Sequence, residues 1–252
     1  MDLGIKGKRV LVTGASQSLG AEIALAFARE GCEVTIISRR EDNLKALVEQ
    51  MGGAKAGHSY RAADLMPEGV PTKVVGELVA KEGPFEIAVH NIGGPMGIRD
   101  PLGPVEDWYK VWRYNCGIAI ETNRVVIPAM KEKQWGRVVH ISSVSGVDNQ
   151  GSGPYTTSKS YVNAYTRTLG RSMAKFGVVV SALMPGAYFA PDSHWDRVGK
   201  ENPAMLEDFL RNHHAVGRLG RVEEISCFAL FMASQHASFA SAALIPVDGG
   251  TK

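Results

Sequence analysis

The chain has 252 residues, 44% of them hydrophobic and 21% charged, a composition typical of a folded globular protein that excludes disordered, fibrous and collagen-like classes. Its 28 basic and 26 acidic side chains leave a formal net charge of +2 and form no dense basic run, which argues against nucleic acid or a membrane surface as a partner. The three cysteines, Cys32, Cys116 and Cys227, are far apart and lack Cys-x-x-Cys spacing, so neither a disulfide framework nor a zinc site is expected, and a reduced cytoplasmic setting fits.

A strand-like run begins at residue 9, leaving no space before it for a secretory leader, and no stretch approaches the roughly 20 apolar residues that span a bilayer. A soluble, full-length chain is the expectation. Runs rich in β-branched residues recur at 9–12, 33–37, 86–89, 137–141, 178–183 and 243–247, with a weaker seventh at 58–62 and helical patterns between them. After the first run, Leu19, Ile23 and Phe27 share one helical face, and Gly31 follows as a stop. Parallel neighbours need a crossover, and a helix supplies it; the alternation therefore predicts one α/β domain over 1–252, with a mainly parallel, doubly wound sheet of seven strands and helices on both faces.

Two loop-rich stretches interrupt this order. Residues 93–104 hold four glycines and three prolines directly after a strand end, where open α/β sheets bind ligands. Residues 187–215 mix Tyr188, Phe189, Trp195 and Phe209 with polar residues before the last helix. They read as a lid over a substrate; the plainer alternative is a surface excursion with its own small core.

Between the first strand and its helix runs Thr13-Gly14-Ala15-Ser16-Gln17-Ser18-Leu19-Gly20. Small residues in such a turn let backbone amides approach a pyrophosphate, and the helix N-terminus adds unpaired donors and a positive dipole end. At the end of the second strand an acidic residue would hold the ribose hydroxyls of NAD, but Ser38-Arg39-Arg40 stands there instead. A guanidinium matches a phosphate through paired hydrogen bonds, which favours NADP(H) over NAD(H), with Arg39 as first contact, Ser38 as helper and Arg40 beside them. Two arginines opening a solvated helix are the plainer reading of the same residues. Asp64, followed by Leu65 after the third strand, is placed either to cap a helix or to contact an adenine.

Tyr155-Thr156-Thr157-Ser158-Lys159 sets a phenol and an ammonium four residues apart, on one face of a helical stretch that continues to Ala174. A tyrosine of pKa about 10 is a poor base, but an adjacent cation favours the phenolate, so the pair is suited to proton exchange with a carbonyl or an alcohol. The strand at 137–141 ends in Ser142-Ser143-Val144-Ser145-Gly146, which offers a hydroxyl to hold the substrate oxygen against that phenol.

Together these motifs resemble the short-chain dehydrogenases/reductases over essentially the whole chain, with 3-oxoacyl-[acyl-carrier-protein] reductases nearest in overall pattern. The resemblance implies a Rossmann-type fold and an NAD(P)-dependent oxidoreductase, with Gly14, Ser16, Gln17, Ser18, Leu19 and Gly20 around the pyrophosphate. Asn91, Ile92 and Gly93 would lie beside the adenosine and nicotinamide, and Pro185 and Gly186 under the nicotinamide. It implies a catalytic tetrad of Asn115, Ser143, Tyr155 and Lys159, in which Lys159 also binds the ribose and Asn115 supports a water. The Gly-Arg-Leu-Gly run at 217–220 and Val-Asp-Gly-Gly at 247–250 match C-terminal signatures of the family, and a homotetramer, or a homodimer, is implied. There are departures. Ser18 replaces the middle glycine, which suits only a backbone without positive φ there. His90 and Ile92 alter the usual Asn-Asn-Ala-Gly run, and residues 187–190 lack the threonine that reaches the carboxamide. Alignment on Ser-x-x-Gly selects Ser143, while spacing to the tyrosine selects Ser142; Ser143 is preferred.

The leading function is reduction of a 3-oxoacyl-like ketone by NADPH. Oxidation of a sugar-like or cyclic alcohol is the alternative, and a non-catalytic dinucleotide sensor or scaffold is the alternative of another class. Metal catalysis finds no supporting spacing, since the adjacent His213 and His214 cannot share a helix face with a carboxylate. The glycine spacing disfavours the extended, nucleotide-sugar epimerase relatives. Arg99, Asp100, Asp148, Asn149, Tyr188 and His194 are candidates for contact with a polar small-molecule substrate, and Trp108, Val111 and Trp112 for core or subunit interface.

Overall fold

The computed structural model describes residues 1–251. Strands β1 (Arg9–Thr13), β2 (Glu33–Ser38), β3 (Ser59–Ala62), β4 (Ile87–His90), β5 (Gly136–Ile141), β6 (Val178–Pro185) and β7 (Leu244–Val247) form one sheet in the order β3-β2-β1-β4-β5-β6-β7. All neighbouring pairs are parallel. The seven expected strands are thus present, the weak one included, with bounds shifted by at most two residues. The helices are α1 (Ser18–Arg29), α2 (Glu41–Gln50), α3 (Val70–Glu82), α4 (Val105–Trp112) and α5 (Ile118–Glu132), then α6 (Ser145–Asp148), α7 (Gly153–Met173), α8 (His194–Glu201), α9 (Pro203–His213) and α10 (Val222–Ala233).

Successive side chains of a strand point to opposite faces, and here both faces are covered, which is why the strands read as continuous apolar runs. On β1, Val10 and Val12 enter one core with Phe27 of α1, Leu44 of α2 and Ile225 of α10. Leu11, between them, enters the other with Leu78 of α3 and Val126 of α5. Gly31, at φ +74, ends α1 as the sequence predicts.

From β1 the chain runs outward through β2 and β3, then returns to place β4 on the other side of β1. Connections therefore leave in opposite directions above β1 and β4, and a crevice opens at their carboxyl ends. In the 187–215 segment, the Trp195 ring stacks on Phe209 at 4.0 Å between centroids, and Phe209 lies against His213 and His214. No described helix is long and apolar enough to cross a membrane.

Candidate active site

A cavity of about 490 Å³ occupies the crevice, lined by Gly14, Ser16, Gln17, Ser18, Leu19 and Gly20 from the first turn, by Ser38, Arg39 and Arg40 after β2, by Asp64 and Leu65 after β3, and by Asn91, Ile92 and Gly93 after β4. Asn91 Nδ2 donates to Gly14 O at 3.0 Å and ties the turn to the end of β4. Gly20 packs so closely that a Cβ would strike Gly14 O and Asn91 Nδ2, so space alone demands glycine there. Gln17, the residue before α1, makes no side-chain cap, which leaves amides of the first helical turn to face the cavity.

At this end one expectation is corrected and one of two open alternatives is ruled out. Ser18 has φ +55, so the middle position of the turn does require the left-handed region, and a serine holds it at a cost of about 1 kcal/mol. Asp64 caps no helix: its Oδ1 accepts from Met66 N at 3.1 Å to close a turn, while α3 begins later, after Gly69. At the mouth, Ser38 Oγ donates to Ser16 Oγ at 2.9 Å, and Arg40 Nη2 donates to Ser16 Oγ at 3.4 Å and to Gln17 Oε1. Arg40 is therefore folded onto the glycine-rich turn, and Arg39 lines the same rim.

A smaller cavity of about 130 Å³ adjoins the first, sharing Asn91, Gly93 and Tyr188, and is otherwise lined by Ile141, Ser142, Ser143, Tyr155, Lys159, Pro185 and Gly186. Tyr155 lines it beside Ser143, whose Oγ accepts from Ser145 N at 3.1 Å. Ser142 is buried, and its hydroxyl is committed to α7: Oγ donates to Asn163 Oδ1 at 2.7 Å. Lys159 is 3% exposed; its Nζ donates to Ile141 O at 2.8 Å and lies 5.7 Å from the centroid of the Tyr155 ring. Asn115 sits in a π-helical turn, Arg113–Gly117, between α4 and α5. Its Oδ1 accepts from Gly94 N at 2.9 Å, and its Nδ2 donates to Gly94 O at 2.9 Å and Val111 O at 2.8 Å, which pins the loop after β4. A Cβ on Gly93 would lie 2.7 Å from Asn115 Oδ1 and 2.8 Å from Lys159 Nζ.

Burial pushes the Tyr155 phenol up to about 12, although the neighbouring Ser143 pulls the other way. Burial likewise brings the Lys159 ammonium down to about 8. This is the opposite of the sign expected from the four-residue spacing: burial sets the direction for the phenol, and the ammonium points at Ile141 O. At that value the phenol is protonated at neutral pH.

Beneath this cavity lies a polar strut that sequence reading did not find. Thr166 Oγ1 donates to Val162 O at 2.8 Å, so its oxygen accepts from His140 Nδ1 at 2.8 Å. His140 Nε2 is then free to accept from Asn123 Nδ2 at 3.1 Å, and Asn123 Oδ1 accepts from His90 Nε2 at 2.8 Å. Burial takes His90 down to about 4 and His140 well below 6.5, so both rings are neutral. His90 immediately precedes Asn91, and His140 immediately precedes Ile141; the strut thus supports the two residues that hold the turn and Lys159.

Of Arg99, Asp100, Asp148, Asn149, Tyr188 and His194, Tyr188 lines both cavities and the others line neither. Tyr114 and Ala63 line the larger cavity without having been singled out. Adjacency to Asn115 was the one available signal for Tyr114. Among the described residues, no group of three or more His, Cys, Asp or Glu side chains is arranged to hold a metal ion.

A family model described as short chain dehydrogenase matches residues 8–195. A 2-dehydro-3-deoxy-L-rhamnonate dehydrogenase (NAD(+)) of Sphingomonas sp. is 30% identical over 247 residues, spanning 97% of this chain and 95% of that protein. A 3-oxoacyl-[acyl-carrier-protein] reductase of Thermotoga maritima is 28% identical over 247 residues, spanning 98% of each. Among solved structures, L-sorbose reductase from Gluconobacter frateurii, complexed with NADPH and L-sorbose, matches with a TM-score of 0.90 at 26% identity, over 99% of this chain and 98% of that one.

Proposed function

Because the chain belongs to the short chain dehydrogenase family, a family of oxidoreductases acting on CH–OH and C=O groups, we propose that it is an NADPH-dependent ketone reductase with a 3-oxoacyl-like substrate. The observation that carries this reading is the junction of two cavities, one edged by Arg39 and Arg40 and the other holding Ser143, Tyr155 and Lys159. The larger has the volume of a ligand pocket, and Gly20 and Gly93 leave no room for side chains where a dinucleotide backbone would approach. Ser38, Arg39 and Arg40 bind the 2′-phosphate at the adenosine end. When bound, the nicotinamide supplies the hydride.

Tyr155 donates the phenolic proton to the substrate oxygen, which Ser143 Oγ holds in place. Lys159, turned toward Gly93, binds the ribose, and Asn115 keeps the loop of Gly93 and Gly94 in register. Pro185 and Gly186 support the nicotinamide. The 3-oxoacyl assignment draws on the Thermotoga relative. The Sphingomonas relative and L-sorbose reductase favour a second reading, a sugar-like substrate, which suits the small cavity. We read the chain as one dinucleotide-binding domain whose 187–215 segment covers the substrate.

Phe228 and Phe231 on α10, together with Phe239, expose apolar rings, which favours a homotetramer or homodimer, measurable by sedimentation equilibrium. Buried thiols at Cys32 and Cys116 accord with a reducing, cytoplasmic setting. Cofactor oxidation should be followed with 3-oxoacyl thioesters, diketones and keto sugars, using NADPH and NADH in parallel. Turnover that prefers NADPH, and loses that preference in the variant carrying both Arg39→Ala and Arg40→Ala, supports the reading. Cofactor binding with no turnover in either direction would favour the sensor or scaffold.

A further inference from the structure

The π-helical turn before α5 carries two buried polar side chains that reach different loops. Asn115 is tied to Gly94, after β4. Arg113 turns instead to the irregular chain between β3 and α3 and donates to three consecutive carbonyls there: Nε to Met66 O at 2.8 Å, and Nη2 to Leu65 O at 3.2 Å and to Pro67 O at 3.0 Å. Its Nη1 pairs with Glu121 Oε1 of α5 at 2.9 Å, and Glu121 Oε2 accepts from Gly69 N at 2.9 Å, just before α3 begins. Carbonyls of a loop outside strand and helix need donors, and a guanidinium offers five in one planar fork, provided that a carboxylate balances its charge where it is buried. Gly117 leaves space for this reach: a Cβ there would lie 2.8 Å from Arg113 Nη1 and 3.0 Å from its Cδ. The loop that Arg113 holds walls the larger cavity with Ala63, Asp64 and Leu65, beside Ser38, Arg39 and Arg40, because β3 pairs with β2. Asp64 Oδ1 accepts from Met66 N at 3.1 Å while Met66 O accepts from Arg113, so one residue links the guanidinium to that wall.

We propose that Arg113 is a positioning residue for the dinucleotide. It lines neither cavity, but it fixes the loop that closes the adenosine end, and the π-turn it shares with Asn115 keeps that loop in register with the one of Gly93 and Gly94. Three consecutive residues thus serve the larger cavity: Arg113 behind the wall after β3, Tyr114 in the lining, and Asn115 on the loop after β4. Glu121 is the counter-ion that lets the guanidinium stay buried. The inference rests on the reading that the larger cavity takes a nicotinamide dinucleotide with its adenosine toward Arg39 and Arg40.

The test is calorimetric affinity of the intact protein for NADPH, NADH and ADP-ribose, the last of which carries the adenosine and the pyrophosphate but no nicotinamide. Arg113→Met removes the donors and keeps a long side chain; it should raise Kd for the preferred dinucleotide and for ADP-ribose by the same factor, about tenfold, the order of one charge-assisted hydrogen bond. Arg113→Lys should recover only part of that loss, because an ammonium lacks the planar fork that meets three carbonyls together. Gly117→Ala is the second variant, chosen to keep both charges. Gly117 already has helical φ −60 and ψ −41, so alanine suits the backbone, while its Cβ pushes the guanidinium aside; it too should weaken both ligands in a protein that circular dichroism shows folded. In steady-state rates, KM for the dinucleotide should rise more than kcat falls, whereas loss of folded protein would lower kcat and leave KM alone. Wild-type affinities in folded Arg113→Met and Gly117→Ala would overturn the proposal. So would weaker dinucleotide binding with ADP-ribose unaffected, which would put the effect at the nicotinamide end. A wild type that binds neither NADPH nor NADH would overturn the functional reading itself, and this inference with it.

Discussion

The larger cavity is built on one stretch of chain, Gly14 and Ser16 through Gly20, with Asn91 bolting that turn to β4 and with Arg39, Arg40, Tyr114 and Tyr188 around it. The smaller one is assembled from side chains on separate elements: Ser143 after β5, Tyr155 and Lys159 on α7, Tyr188 after β6, with the π-turn of Asn115 behind them. A site made of consecutive backbone survives as long as a few residues stay small. A site made of converging side chains depends on how four elements pack, and on what lies under them. The first should therefore fail through binding, the second through turnover.

The sharpest test of that division is Tyr155→Phe, which removes the phenolic hydroxyl and leaves the ring. Turnover should fall by roughly 10²- to 10⁴-fold while NADPH still binds, measured by fluorescence titration beside steady-state rates. Persisting turnover would move the reaction out of the smaller cavity.

Acid should attack the foundation of the smaller cavity. His90 and His140 are neutral when folded, with His90 held near 4 against an ordinary 6.5, so the unfolded chain takes up protons first as pH drops. Stability is then fully present above about pH 6.5 and is lost on going down toward pH 4, at up to about 1.4 kcal/mol per pH unit for each histidine. Urea unfolding at pH 7.5, 6 and 5 reads this directly; a flat profile would mean that the strut is not buried in its neutral form.

Gly20→Ala probes the other region. The added Cβ meets a backbone oxygen that cannot move aside, so a loss of about 1–3 kcal/mol in stability is expected, and the effect on KM for the dinucleotide should exceed that on kcat. An equal loss in both constants would erase the contrast between the cavities.

Ser142→Ala carries the smallest effect. It strands Asn163 Oδ1 for about 1 kcal/mol of stability, with turnover close to wild type. A turnover loss as large as that of Ser143→Ala would transfer the oxygen-holding role to Ser142.

The glycine-rich turn, the strands and the Tyr155 to Lys159 spacing were legible because each depends on residues close in sequence: a turn, a period of two, one helical step. The choice between Ser142 and Ser143 was not. It turns on Asn163, some twenty residues away, which occupies the Ser142 hydroxyl, while Ser143 lines the smaller cavity beside Tyr155. Likewise, the spacing placed Lys159 beside Tyr155 but gave the wrong sign for the phenol, since desolvation belongs to the packed interior and not to the helix.

By itself, the sequence determined the order and direction of the elements, the location of the glycine-rich turn and the basic rim after β2, because hydrophobic period and turn chemistry act locally. Only the tertiary structure decided that Ser18 takes a positive φ, that Asp64 closes a turn and caps no helix, and that His90, Asn123 and His140 join beneath the smaller cavity. Those outcomes depend on which distant side chains a fold brings within 3 Å or so of each other in a space closed to water, where one hydrogen bond or its absence settles both conformation and charge.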